Sequence, residues 1–70
     1  MENNEVIGRF VREKRHKLGL NQADLAEVSG ITAKALSEIE NSRVDPKYST
    51  VEKLLENLGY KLKIVDRVSE

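Results

Sequence analysis

The stretch NQADLAEVSGITAKALSEIENS, residues 21–42, holds two short amphipathic helix patterns joined at a Ser-Gly corner. Asn21 is positioned to cap a helix over residues 22–28, and Asp24 sits at its third position, where both capping-box logic and the positive end of the helix dipole favour an acid. Leu25 and Val28 are three apart and share a face, and Ala26 is small enough to let a neighbouring helix come close. Gly30 falls just past the helix, where a sharp reversal calls for a positive φ. Thr32 then caps a second helix, with Leu36 and Ile39 on its inner face, Ala35 beside them, and Ala33, Lys34, Ser37 and Glu38 outward.

Capped helices around a glycine occur in any all-α domain, so a plain helical hairpin is one reading. The spacing favours another. The small residue lies four before the glycine, and the apolar anchors follow it by six and nine. That combination matches the docking geometry of a helix presented to a DNA groove.

Outside this segment, a first helix is expected over residues 5–18, with Val6, Ile7, Phe10, Val11 and Leu18 as its apolar side, Phe10 as aromatic core anchor and Gly19 ending it. Residues 41–47 read as a loop, since Pro46 disfavours helix at Asp45. A fourth helix begins near Thr50, with Ser49 and Glu52 as a capping box, Val51, Leu54, Leu55 and Leu58 as its stripe, and Gly59 closing it. After Gly59 the period changes to an alternation of Tyr60, Leu62 and Ile64 with Lys61, Lys63 and Val65, which favours β. A lone strand needs a partner, so the expectation is a two-stranded ribbon with the same segment of a second subunit; the alternative is an extended tail lying on the domain.

The chain has 70 residues, no cysteine, and 12 basic against 12 acidic residues. That length fits one domain with no room for a catalytic or ligand-sensing module beside it. The missing cysteines remove disulfides and thiolate metal sites and accord with a reducing compartment. Neither a membrane span nor a signal peptide is legible, so a cytoplasmic location, in the nucleoid for a DNA binder, is expected. A net charge of zero counts against strong nonspecific nucleic-acid binding. The distribution of charge tempers this, because Arg9, Arg12, Lys14, Arg15 and Lys17 crowd the first helix. His16 has no Cys or second His near it, and no catalytic constellation stands out, so no metal, no cofactor and no enzyme activity is expected.

The segment resembles the helix-turn-helix of the phage repressor and Cro family (XRE-like), which includes the HipB-type antitoxins. Arg15-His16-Lys17-Leu18-Gly19-Leu20 before Asn21-Gln22 is similar to the family's first-helix ending, and Ile39-Glu40-Asn41 to the end of its recognition helix; residues 7–58 follow the pattern in order. The resemblance implies an all-α, four-helix DNA-binding domain over residues 1–59, followed by a dimerisation strand and tail over residues 60–70 in which Tyr60, Leu62 and Ile64 face the twin subunit, as in HipB-type proteins. It further implies a homodimeric, sequence-specific transcriptional repressor on a palindromic operator in double-stranded DNA. Antitoxin-type autoregulation beside a toxin such as a HipA-like kinase belongs to the same reading. A module that mainly neutralises a toxin is the competing one.

By the same resemblance, Gln22 contacts a phosphate, and Thr32, Ala33, Lys34, Ser37 and Glu38 meet base edges or flanking phosphates. Asn41 and Arg43 hold the DNA backbone, and Arg15 with Glu40 bridges the first helix to the recognition helix. Chemically, Lys34 suits guanine, Glu38 cytosine N4 and Ala33 a thymine methyl. The operator sequence does not follow from these residues. Ser42 stands where the family usually has Gly.

Overall fold

The computed structural model describes residues 3–63, with the side chains of Asn3 and Asn4 left aside. It contains four helices in order: α1 (Asn3–Lys17), α2 (Gln22–Val28), α3 (Ala33–Glu40) and α4 (Tyr48–Asn57). No strand occurs among the described residues. Their core gathers Val11 from α1, Leu25 and Ala26 from α2, Leu36 and Ile39 from α3, and Val51, Leu54, Leu55 and Leu58 from α4 and its end. Ile7, Phe10, Leu20, Ile31 and Leu62 pack around its rim.

The expected caps of α2 and α3 form. Asn21 Oδ1 accepts from the Asp24 amide at 2.7 Å, and Thr32 Oγ1 from the Ala35 amide at 3.0 Å, each satisfying one of the donors that a helix start leaves open. The fourth helix starts earlier than its sequence signals. The Lys47 carbonyl accepts from the Val51 amide, so Tyr48 and Ser49 already lie in the first turn. Ser49 therefore cannot act as the cap, and Lys47, at the cap position, makes no side-chain bond.

All four helices end in one hydrogen-bond pattern, in which two amides beyond the helix return to carbonyls of its last turn. Leu20 donates to Arg15 O, Ile31 to Ala26 O, Arg43 to Glu38 O and Tyr60 to Leu55 O, at 2.8 to 3.1 Å. The residue before each donor must adopt positive φ. It is glycine three times, at Gly19, Gly30 and Gly59, and Ser42, with φ 60°, in the fourth.

Four apolar expectations need correction. Val28 is 65 % exposed. Leu25, Ala26 and Ser29 occupy the buried arc of α2, and at about 100° per residue Val28 projects well to one side of it. Leu18 is also exposed, because α1 ends at Lys17 and the turn brings Leu20 inward in its place, and Val6 is exposed because it lies on the side of α1 away from Gly8, Val11 and Arg15. Phe10 lies at the rim rather than at the centre, its ring edge-on to Tyr60 with centroids 5.0 Å apart.

α1 and α3 approach each other tightly at Gly8. A Cβ there would collide with the carbonyl oxygen of Ile39 and press on that of Glu40. Ala26 is buried in the core from α2, while the α1–α3 contact depends on this second small residue.

Candidate nucleic-acid interface

α3 shows its N-terminal end to solvent. Thr32, Ala33 and Lys34 are exposed, Ser37 and Glu38 are half-buried, and Leu36 and Ile39 fix the opposite side in the core. The polar outer side thus belongs to a helix whose rotation and depth are set from beneath.

The orientation is locked through Glu40, whose residue is only 4 % exposed although it is charged. Its Oε2 accepts from Arg15 Nε at 2.7 Å, and its Oε1 from Arg15 NH2 and from Gln22 Nε2, each at 3.0 Å. Arg15 NH1 donates to the Leu20 carbonyl at 2.9 Å, so the guanidinium is held on three sides. This is the two-bond fork in which arginine matches a carboxylate. No buried side-chain nitrogen or oxygen among the described residues lacks a partner.

Burial by itself would push the Glu40 carboxyl up. The hydrogen bonds from Arg15 and Gln22, with the charges of Arg15 and Arg12, outweigh it and hold the group below its ordinary range. The bond to Glu40 likewise raises Arg15 against the opposing effect of burial. Both groups stay charged at neutral pH. Arg15 consequently adds nothing to an exposed basic face, which corrects its place in the sequence-level cluster.

Gln22 is half-buried with its amide nitrogen on Glu40, so it links the start of α2 to the end of α3. Asn41 is exposed, but its side chain is engaged: Nδ2 donates to the Ser37 carbonyl at 2.8 Å, and Oδ1 accepts from Arg12 NH2 at 2.7 Å. The same Arg12 nitrogen donates to the Glu40 carbonyl at 3.3 Å. Arg43 is exposed, next to Ser42 in its left-handed conformation.

At the level of sequence Arg12 enters only as one of the basic residues of the first helix and Gly8 not at all, yet a signal for their placement is present. Gly8, Arg12 and Arg15 are spaced four and three apart, the repeat that keeps residues on one helix face. Once Arg15 is directed at Glu40, the other two must face the end of α3.

Tyr60 and Leu62 lie against the helices of the same chain. Tyr60 packs on Phe10, Lys14 Nζ lies 5.2 Å from the Phe10 ring centre and 5.6 Å from that of Tyr60, and Leu62 packs against the core. Ile64 lies outside the described residues. Among the described residues no group of three potential metal ligands occurs, and no helix is long and apolar enough to cross a membrane.

Comparison with known proteins places these features in a wider set. The family described as Helix-turn-helix matches residues 11–65. The HTH-type transcriptional regulator PuuR of Escherichia coli (strain K12) is 44% identical over 55 residues, which is 79% of this chain and 30% of the relative. The protein of the same name from Shigella flexneri matches to the same extent. The chain thus spans less than a third of the length of these relatives.

Proposed function

The chain belongs to the phage-repressor and Cro-type (XRE-like) helix-turn-helix family, and we propose that it is a sequence-specific DNA-binding transcriptional regulator that places α3 in the major groove. The observation carrying this reading is the Glu40 lock. One buried carboxylate holds α1, through Arg15, and the start of α2, through Gln22, against α3, so the exposed Thr32-Ala33-Lys34 end is presented at a fixed angle. A helix that reads bases by hydrogen-bond geometry needs such preorganisation.

In this reading Thr32, Ala33, Lys34, Ser37 and Glu38 meet base edges and adjoining phosphates, while Gln22, Asn41 and Arg43 mark the flanking backbone contacts. Residues 1–59 form the DNA-binding unit, and residues 60–70 carry dimerisation through Tyr60, Leu62 and Ile64. The regulator acts as a homodimeric repressor in the cytoplasm, with recognition helices about 34 Å apart on a palindromic operator. PuuR is named a transcriptional regulator, in accord with this role. A second reading draws on the balanced charge of 12 basic and 12 acidic residues: an antitoxin-type protein whose main contact is a toxin, with DNA binding used for autoregulation.

Titration against the DNA upstream of its own gene, with a scrambled duplex as control, tests the proposal. Tighter binding to the upstream DNA is expected, and equal binding to both rules out a specific regulator. Lys34→Ala should change the ranking of operator variants, whereas Gln22→Ala should weaken binding to all of them alike. Light scattering of the intact chain tests the homodimer, which the mass of a single chain would exclude.

A further inference from the structure

We propose that Arg12 is a DNA-backbone contact, its guanidinium taking a phosphodiester oxygen beside the C-terminal end of α3 while Asn41 acts as the residue that aims it. This rests on the DNA-binding reading above and reassigns one of its contacts.

A phosphate oxygen needs a donor, and Asn41 has none to spare. Its Nδ2 is directed at the Ser37 carbonyl at 2.8 Å and at Ser37 Oγ at 3.4 Å, and its backbone amide bonds the Ser37 carbonyl at 3.0 Å. What Asn41 offers outward is an acceptor, Oδ1, which Arg12 already occupies. Arg12 is in the opposite position. A guanidinium carries five N–H donors, and both of its hydrogen bonds here leave from NH2, one to Asn41 Oδ1 and one to the Glu40 carbonyl. NH1 makes no hydrogen bond among the described residues.

Exposure and charge agree with this assignment. The Arg12 side chain is 46 % exposed against 9 % for Arg15. The nearest carboxylate oxygen to Arg12 is Glu40 Oε1 at 3.9 Å, and that oxygen already accepts from Arg15 and Gln22. A cleft of about 300 Å³, lined by Glu5, Arg9, Arg12, Glu40, Asn41 and Ser42, opens in front of the guanidinium. The lining itself holds two arginines and two glutamates, but the buried Arg15 already neutralises Glu40, which leaves Arg9 and Arg12 against Glu5 alone. The two bonds through NH2 fix the plane of the guanidinium, which lowers the ordering cost of a phosphate contact.

The test measures the dependence of affinity on salt for wild type, Arg12→Gln and Arg12→Lys, on a mixed-sequence duplex and on the DNA upstream of the gene. Each phosphate contact contributes about 0.9 to the slope of log affinity against log salt. Arg12→Gln should lower that slope by about 0.9 on both duplexes, so that a fourfold rise in salt costs it roughly threefold less affinity than wild type. Arg12→Lys should keep the slope. Preference for the upstream DNA over the mixed duplex should hold in both variants, and their thermal unfolding is followed in parallel. An unchanged slope in Arg12→Gln, or a lost preference with the slope intact, overturns the assignment and leaves Arg12 as a brace for α3. Absence of wild-type binding to either duplex at low salt overturns the DNA-binding reading itself.

Discussion

Arg15 and Glu40, separated by 25 positions in the chain, meet in a two-bond fork of 2.7 and 3.0 Å beneath the exposed side of α3. Both are buried. Exposed pairs contribute little to stability, but removing one member of a buried pair strands the other charge at a cost of about 3–5 kcal/mol. Glu40→Ala should therefore lower thermal stability strongly. Arg15→Leu with Glu40→Leu should recover much of the loss, because apolar replacements of both partners leave no stranded charge. The double variant should still bind DNA poorly, since Gln22 then has no partner on α3 and only the Arg12 bonds to the Glu40 carbonyl and Asn41 still tie α1 to the end of that helix. Wild-type affinity in a stable double variant would show that packing and the Arg12 bonds suffice to orient the helix.

The same carboxylate sets a pH response. Its folded pKa is depressed, so its contribution to stability is fully present above the unfolded value of about 4.3 and is lost as pH falls through the lower folded value. Thermal unfolding followed downward from neutral pH should show a decline that begins near pH 4 and is shallower in Glu40→Gln. Superimposable wild-type and variant profiles would remove Glu40 from the acid transition. The Arg15 partner gives no matching alkaline response in the accessible range, because its pKa is raised from an already high value.

Gly8 supports the lock by geometry rather than charge. Gly8→Ala places a methyl group against the carbonyls of Ile39 and Glu40, so α1 and α3 must separate. Overpacking of this kind costs about 1–3 kcal/mol, more than the gain expected from alanine's better helix propensity, about 1 kcal/mol. Lower stability is expected, together with a drop in DNA affinity that persists at temperatures where the variant is fully folded. A more stable Gly8→Ala protein would mean that the helices shift apart without penalty.

Much of this arrangement is legible in the sequence because it is local. Asn21 and Thr32 cap their helices through bonds that span three residues, and the turn glycines follow from backbone sterics. Errors arose where tertiary context decided. Ser49 and Glu52 form a sound capping signal, but the helix starts before them. Val28 and Leu18 have the right hydrophobicity for the core but sit where the helix turns them outward. The contact of Tyr60 with Phe10 of the same chain is not written in the alternation of residues 60–65. At the candidate interface, the Arg15–Glu40 pairing came with the family resemblance. The engagement of Asn41 by Arg12 and Ser37 depends on side-chain directions that spacing alone does not specify.

Among the described residues, Ser42 is the one helix-ending residue at positive φ that is not glycine, and it stands directly after the α3 cap, between Asn41 and Arg43. A side-chain-bearing residue in this region costs about 1–2 kcal/mol relative to right-handed backbone, and glycine avoids that strain while giving up about 0.5–1 kcal/mol in unfolded-state entropy. Ser42→Gly should thus stabilise the fold by roughly 0.5–1 kcal/mol, visible as a rise of several degrees in a thermal melt. The hydrogen bonds of Ser42 and Arg43 back to Ile39 and Glu38 need only the turn, so α3 should keep its orientation and DNA affinity should change little. A stabilised protein with weakened DNA binding would instead assign the serine hydroxyl to the interface, and a destabilised one would show that its side-chain interactions outweigh the backbone strain.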